Sequence, residues 1–260
     1  MITPLLPPDV RLETRDGRPC LISARFDDVY FSTKSGLDET DQVFINGNRL
    51  LERMPAMERL VVAETGFGTG LNFLGLLRHW QALGEDAPRL HYISTELAPL
   101  DPDTIAAMGE GFPELSALIP SLLGILPPRW PGRHRRHLFG GKVVVDFLYG
   151  DSLEMLTAAS FEADAWFLDG FTPWRNPAMW QDELFKEMHR LSAPGATLAS
   201  FTGSGAVRQG LEDAGFEVRK VSGEPFKLHR IIGRVSAPSP SIPKLNQNIR
   251  NDFQDTVIIG

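Results

Sequence analysis

The hydrophobic and polar positions of this chain change rhythm near residue 59. Before it, VRLETRDGRPCLIS sets two alternating runs on either side of Asp16-Gly17, a pair suited to a tight turn, and predicts a β-hairpin. The polar stretch FDDVYFSTKSGLDETDQVFINGN reads as turns, followed by a short amphipathic helix near 48–53. Beyond residue 59, short apolar strands alternate with segments of helical spacing. RLVVAE, RLHYISTE, KVVVDFLYGD, DAWFLDGF and ATLASFTG predict five strands. GLNFLGLLRHWQAL, PLDPDTIAAMGEGFPEL, SLEMLTAA, NPAMWQDELFKEMHRLSAPG and GAVRQGLEDAG predict the helices that follow them. FEVRKV and HRIIGRV add two strands, read as an antiparallel pair. The alternation implies an α/β fold, a seven-stranded, mostly parallel sheet with helices on both faces and an N-terminal β-hairpin extension. Continuously apolar strands such as VVA and VVV fit burial on both sides. In such a sheet a ligand sits at the carboxyl ends of the strands.

The same rhythm divides the chain. Residues 1–58 form the N-terminal extension and 59–235 the α/β domain. Residues 236–254, rich in Pro, Ser and Asn, read as a linker. The last six, DTVIIG at 255–260, look like the first strand of a further dinucleotide-binding unit; an ordinary apolar tail is the competing reading.

Composition narrows the class. The 260 residues, 42% of them hydrophobic, are enough for a substantial core and exclude a disordered chain. No apolar run approaches the roughly 20 residues that span a bilayer. The N-terminus lacks the basic and apolar regions of a signal peptide. The single cysteine, Cys20, excludes an intrachain disulfide and a Cys-rich metal site, and makes the cytoplasm the default compartment. The formal net charge of −7 opposes nucleic-acid binding on average, but charge is unevenly spread. Between 115 and 145 there is no Asp or Glu, while Arg129, Arg133, Arg135, Arg136 and Lys142 crowd together beside His134 and His137. This tract reads as a basic loop for an anionic partner, or as a solvated loop with a chance charge run. The histidines show no metal-ligand spacing, and HEXXH, CxxC, P-loop and GxSxG signatures are absent, so no metal site is expected.

The chemistry concentrates at strand ends. In ETGFGTG, Gly66, Gly68 and Gly70 lie between a predicted strand and a predicted helix, where glycine lets the backbone turn tightly and approach a ligand. Such a turn alone also suits NAD enzymes. Glu64, just before the first glycine, favours a cationic ligand such as the methionine end of S-adenosylmethionine and would repel a pyrophosphate. Glu96 ends the second strand, where an acid can bind a ribose diol. Asp151 follows the third strand, where a carboxylate can face an adenine, and Asp169 ends the fourth. Four acids at four successive strand ends read as a cofactor site; helix capping is the competing account. Asp169 is the catalytic candidate, a carboxylate that can orient an amine and help move its proton. In GFTPWRNP, Phe171 and Trp174 offer stacking surfaces for a base and Arg175 a phosphate contact; core packing is the alternative for Trp174.

These motifs, together with FDDVYFS, GLDET, VFINGN, ETGFGTGLNFL, YISTE, PGRHR, DAWFLDGFTPWRNPAMW, RLSAPGATLASFT and VRQGLEDAGF, resemble the methyltransferase domain of the MnmC family of bifunctional tRNA-modification proteins. The resemblance runs from about residue 26 to 235. It implies the Rossmann-like class I methyltransferase fold and S-adenosylmethionine-dependent methylation of the 5-aminomethyl group of a wobble uridine, giving 5-methylaminomethyl-(2-thio)uridine. It places the cofactor at Glu64, Gly66, Gly68, Gly70, Asn72, Glu96, Asp151 and Asp169. It assigns tRNA contacts to Arg133, Arg135, Arg136, Phe171, Trp174, Arg175, Lys227 and Arg230, the last two within GEPFKLHRIIG, where the family usually carries a Gly-Phe-Gly. It also implies fusion to a FAD-dependent oxidase domain, which VIIG would begin, and no membrane partner. A small-amine methyltransferase, an NAD-linked dehydrogenase and a non-catalytic tRNA-holding module are the alternatives.

Overall fold

The computed structural model describes residues 3–15, 18–32, 36–224 and 227–235. The hairpin turn at Asp16-Gly17, the linker at 236–254 and the segment 255–260 lie outside them.

Three strands, β1 (Val10–Arg15), β2 (Arg18–Ser23) and β3 (Asp28–Val29), form an antiparallel sheet in the order of the chain. The expected hairpin is β1 and β2, paired from Val10 with Ser23 to Arg15 with Arg18. The stretch read as turns holds more structure. Helix α1 (Gly36–Thr40) runs into a π-helical turn at Asp41–Ile45, followed by α2 (Leu50–Arg53). These elements bury Leu37, Val43, Phe44, Ile45 and Leu50, apolar residues that no single period connects.

The main sheet is built from β4 (Arg59–Thr65), β5 (Arg89–Glu96), β6 (Gly132–Leu138), β7 (Val143–Tyr149), β8 (Ala163–Leu168), β9 (Ser192–Ser200), β10 (Phe216–Gly223) and β11 (Lys227–Val235). Their order is β10-β11-β9-β8-β4-β5-β7-β6. The neighbours β8–β9, β4–β8, β4–β5 and β5–β7 are parallel. β10 and β11 pair antiparallel, as the sequence indicates, and β11 lies antiparallel to β9.

The sheet has eight strands rather than seven. The additional one is β6, in the tract read as a basic loop. It lies antiparallel to β7, with Arg133 opposite Leu148 and Arg135 opposite Asp146. The physical reason is Asp146, a lone acid within an otherwise apolar strand, whose side chain is 2% exposed. A buried carboxylate needs compensating donors. Arg133 Nη2 donates at 2.7 Å, Arg135 Nε and Nη2 at 2.9 and 2.8 Å, and His91 Nε2 lies 2.7 Å away.

Successive residues of the central strands face opposite layers. On one face Leu60, Val62, Leu90, Tyr92, Val145 and Phe167 pack with α3 (Leu71–Ala82), α4 (Pro102–Gly109) and α5 (Ile119–Leu123). Leu37 of α1, Leu50 of α2 and Leu21 of β2 belong to that same cluster, so the N-terminal extension is part of the core. On the other face Val61, Ala63, Ile93, Trp166, Leu168 and Leu198 pack with α6 (Ser152–Ala158), α7 (Asp182–Arg190) and α8 (Gly205–Asp213). From β4 the chain steps one way to β5 and β7, and the other way to β8 and β9. The crevice at this switch of direction opens at the carboxyl ends of β4 and β8, where sheets of this kind bind ligands.

Candidate active site

A cavity of about 600 Å³ opens at the carboxyl ends of β4, β5, β7 and β8. Gly66, Gly68, Asn72, Glu96, Asp151, Asp169 and Phe171, scattered over a hundred positions of the sequence, all line it. Its outer wall comes from the N-terminal extension, including Arg25, Phe26, Asp28, Tyr30 and Phe31.

The glycine turn is held from below and from the side. Gly66 N–H and Phe67 N–H donate to the Thr95 carbonyl at 3.0 and 2.9 Å, and Gly68 N–H donates to Glu96 Oε2 at 2.9 Å. Gly66, Gly68 and Gly70 all have positive φ. At Gly70 (φ +76°) a Cβ would lie 2.8 Å from Phe67 Cζ and 2.9 Å from Leu122 Cδ2, so glycine is required there by conformation and by space. Gly70 itself does not line the cavity; it closes the turn and caps α3.

The four acids divide by role. Glu64, expected to contact a cationic ligand, is buried and is not among the residues that line the cavity. Its last-but-one position in β4 turns its side chain into the core, where Ser94 Oγ donates to Oε2 at 2.7 Å and Asn72 Nδ2 to Oε1 at 2.9 Å. Burial pushes its carboxyl up to about 8, with the nearby Asp169 charge acting in the same direction. Glu96 lines the cavity and also accepts from Ala98 N–H at 2.8 Å; burial raises its pKa. Asp151 is a helix cap: Oδ1 accepts from Leu153 N–H and Glu154 N–H at 3.0 and 3.1 Å. Capping uses that one oxygen, and the residue still lines the cavity.

Asp169 is fixed on both sides. Thr65 Oγ1 donates to its carbonyl at 2.7 Å and accepts from its N–H at 3.0 Å. Its carboxylate accepts from Gly170 N–H at Oδ1 (2.8 Å) and from Asn72 Nδ2 at Oδ2 (2.7 Å). Beside it Phe171 stacks on Phe26 at 4.8 Å and meets Tyr30 edge-on at 5.1 Å. Asp28 Oδ2 ties this wall down by accepting from Thr172 N–H and Oγ1 at 2.8 and 2.6 Å. Burial raises the Tyr30 phenol above its ordinary value, with the Glu96 charge adding to the shift.

The proposed substrate-side residues fall in several places. Trp174 is 73% exposed, so core packing does not account for it, and the Arg175 guanidinium lies over its ring at 4.3 Å. Arg175 also bonds the Phe26 carbonyl and the Asp27 carboxylate. Arg133 and Arg135 are held by Asp146, and Arg136 is buried, its Nη1 donating to the Arg135 carbonyl at 2.9 Å. Arg230 donates to the carbonyls of Ser222 and Val43 at 3.2 and 3.3 Å. Lys227 opens β11; its side chain lies outside the described residues. Among cavity residues, Thr40, Arg25 and Asp28 were missed by sequence reasoning. The one available signal was that FDDVYFS and GLDET are polar stretches carrying aromatics, more than plain turns require. Among the described residues no group of three or more His, Cys, Asp or Glu could hold a metal ion, and no helix is long and apolar enough to cross a membrane.

Comparison with known proteins fits this geometry. A family described as S-adenosyl-L-methionine-dependent methyltransferase matches residues 113–236. A curated relative from Chromobacterium violaceum, the tRNA 5-methylaminomethyl-2-thiouridine biosynthesis bifunctional protein MnmC, is 47% identical over 231 residues, covering 88% of this chain and 35% of its own. The protein of the same name from Pseudomonas fluorescens is 44% identical over 246 residues, covering 90% of this chain and 37% of its own. The chain thus spans about a third of the length of the curated relatives it matches. Among solved structures, MNMC2 from Aquifex aeolicus superposes with a TM-score of 0.71 at 24% identity, over 92% of this chain and 75% of that one, and supports the fold.

Proposed function

We propose that this chain, whose residues 113–236 match a family of S-adenosyl-L-methionine-dependent methyltransferases and which aligns with about a third of the larger MnmC proteins, methylates the 5-aminomethyl group of a wobble uridine in tRNA, giving 5-methylaminomethyl-(2-thio)uridine. The observation that carries the reading is Asp169, a carboxylate fixed by Asn72 and Gly170 on the wall of a cavity also lined by Phe26, Tyr30 and Phe171.

The residues present fit the cofactor. The volume of about 600 Å³ lies within the usual range for small-molecule sites. Glu96 stands at a strand end where an acid can take a ribose diol, and Asp151 retains an oxygen, Oδ2, with no donor among the described residues. Gly66 and Gly68 keep the turn free of side chains where the ligand must approach. When bound, S-adenosyl-L-methionine supplies an electrophilic methyl group on a sulfonium.

The chain's own residues prepare the amine. A primary alkyl amine has an aqueous pKa of about 10 and must lose a proton before it can attack carbon. The Asp169 carboxylate accepts hydrogen bonds from Asn72 Nδ2 and Gly170 N–H, which orient it to hold the amine and to receive its proton. Phe26, Tyr30 and Phe171 line the approach with apolar surface that excludes water, and Trp174 offers an exposed ring on which a base can stack. The uridine would leave its loop stack to enter. Because the relatives are about three times as long, fusion to a FAD-dependent oxidase domain acting on the same tRNA is part of this proposal.

The test incubates the chain with labelled S-adenosyl-L-methionine and tRNA from cells lacking the activity, followed by nucleoside identification. Label on the aminomethyl uridine is expected. Label only on small amines, or none, would overturn the reading.

A further inference from the structure

We propose that Thr40, in the N-terminal extension, is a positioning residue for Asp169 and acts through the amide of Asn72. The inference rests on the reading of Asp169 as the amine-facing carboxylate.

Asn72 sits at the centre of a closed set of hydrogen bonds. Its single nitrogen donates to two carboxyl groups, Glu64 Oε1 at 2.9 Å and Asp169 Oδ2 at 2.7 Å. An amide nitrogen has two N–H groups, so each carboxyl group takes one. The amide oxygen accepts from Thr40 Oγ1 at 2.9 Å. Turning the amide over would aim its oxygen at the Asp169 carboxylate, so that carboxylate, which can only accept, selects the orientation in which it receives a donor. The Thr40 hydroxyl then anchors the amide in that orientation by donating to its oxygen. Thr40, Glu64 and Asn72 are 3%, 1% and 8% exposed, so water cannot readily replace a lost member of the set.

The side chain of Thr40 has two separable functions. Its hydroxyl reaches Asn72, while its Cγ2 methyl packs against Gly75 of α3, where an added Cβ would lie 2.8 Å from it. α1 thus approaches α3 closely enough for a short hydrogen bond only because position 75 is glycine. Thr65 and Gly170 fix the backbone of Asp169 and one carboxylate oxygen. Asn72 holds the second oxygen, and Thr40 holds the amide oxygen of Asn72.

Two substitutions separate these functions in the whole chain. Thr40→Val keeps the methyl and removes the hydroxyl; Thr40→Ser keeps the hydroxyl and removes the methyl. With tRNA as substrate, Thr40→Val is expected to lower kcat about tenfold or more while the Kd of S-adenosyl-L-methionine changes little. Thr40→Ser is expected to keep kcat near that of the parent and to show any loss in thermal stability instead. In an Asp169→Asn background, Thr40→Val should cause no further loss, whereas a general loosening of α1 would still lower activity. A readout independent of turnover is the Asn72 side-chain amide in ¹⁵N NMR, protected from hydrogen exchange in the parent and in Thr40→Ser, unprotected in Thr40→Val. Unchanged kcat in Thr40→Val, an equal loss in Thr40→Ser, or unchanged amide protection in Thr40→Val overturns the proposal. If Asp169→Asn itself is fully active, it is the role of Asp169 that falls, an outcome distinct from all of these.

Discussion

Glu64 shows how far a residue's role can move between its sequence neighbourhood and its place in the fold. Beside a glycine turn it reads as a ligand contact; in the structure it lies under the floor and bonds Ser94 and Asn72. Its burial has a pH consequence. The folded chain holds the Glu64 proton up to about pH 8, whereas an unfolded chain releases it near the ordinary value of 4.5. Between those values the folded state binds more protons than the unfolded one, so this group's contribution is fully present at acid pH and is lost as pH rises through about 8. Glu64→Gln cannot ionise. The parent is expected to lose stability relative to Glu64→Gln as pH is raised from about 5 to about 9, read from urea midpoints. Parallel curves for the two proteins would show that Glu64 is not held protonated.

At the scale of elements, β6 and α1 carry most of what the periodicity left out. The run from Gly132 to Leu138 has no apolar alternation of its own, and its strand character comes from pairing with β7. The signal was in the partner: Asp146 interrupts VVVDFLY, and the arginines opposite it supply the donors it needs. Removing one of them leaves Asp146 buried and under-compensated. Arg135→Ala is expected to lower unfolding stability by about 1–3 kcal/mol, with Arg133 and His91 limiting the loss. Adding Asp146→Asn should recover part of it, because the uncompensated charge is gone. No loss in Arg135→Ala would mean that the pair is a solvated surface contact. α1 was missed for a related reason: it is five residues long, too short for a helical period to register, and is ordered by packing on α3.

For the whole molecule, the question is how a chain of net charge −7 would hold a polyanion. Binding would have to come from local positive surface and would weaken steeply with salt. Arg133 and Arg135 place two guanidinium groups on one buried carboxylate, which leaves positive charge on that edge of the sheet even after pairing. Changing Arg133 and Arg135 to Gln together with Asp146→Asn removes this charge without stranding the carboxylate. If the edge contacts tRNA, log K should fall less steeply with log salt, by about one unit of slope per lost phosphate contact. A slope equal to the parent's would leave the cluster with a structural role alone.

The sequence by itself determined the α/β alternation, the antiparallel pair at the end of the sheet, the glycine turn and the acids at the strand ends, because each is encoded within a few adjacent residues by period, turn chemistry or composition. The strand ends converge on one cavity because parallel strands in a sheet all end on the same side, which the alternation already implies. Only the tertiary structure decided which acid faces the cavity and which lies beneath it, that the basic tract is an eighth strand, and that Thr40 reaches Asn72 across 32 positions. These depend on burial and on partners distant in the chain. A carboxylate's role follows from which donors surround it once the core has closed, and no local pattern in the sequence records that.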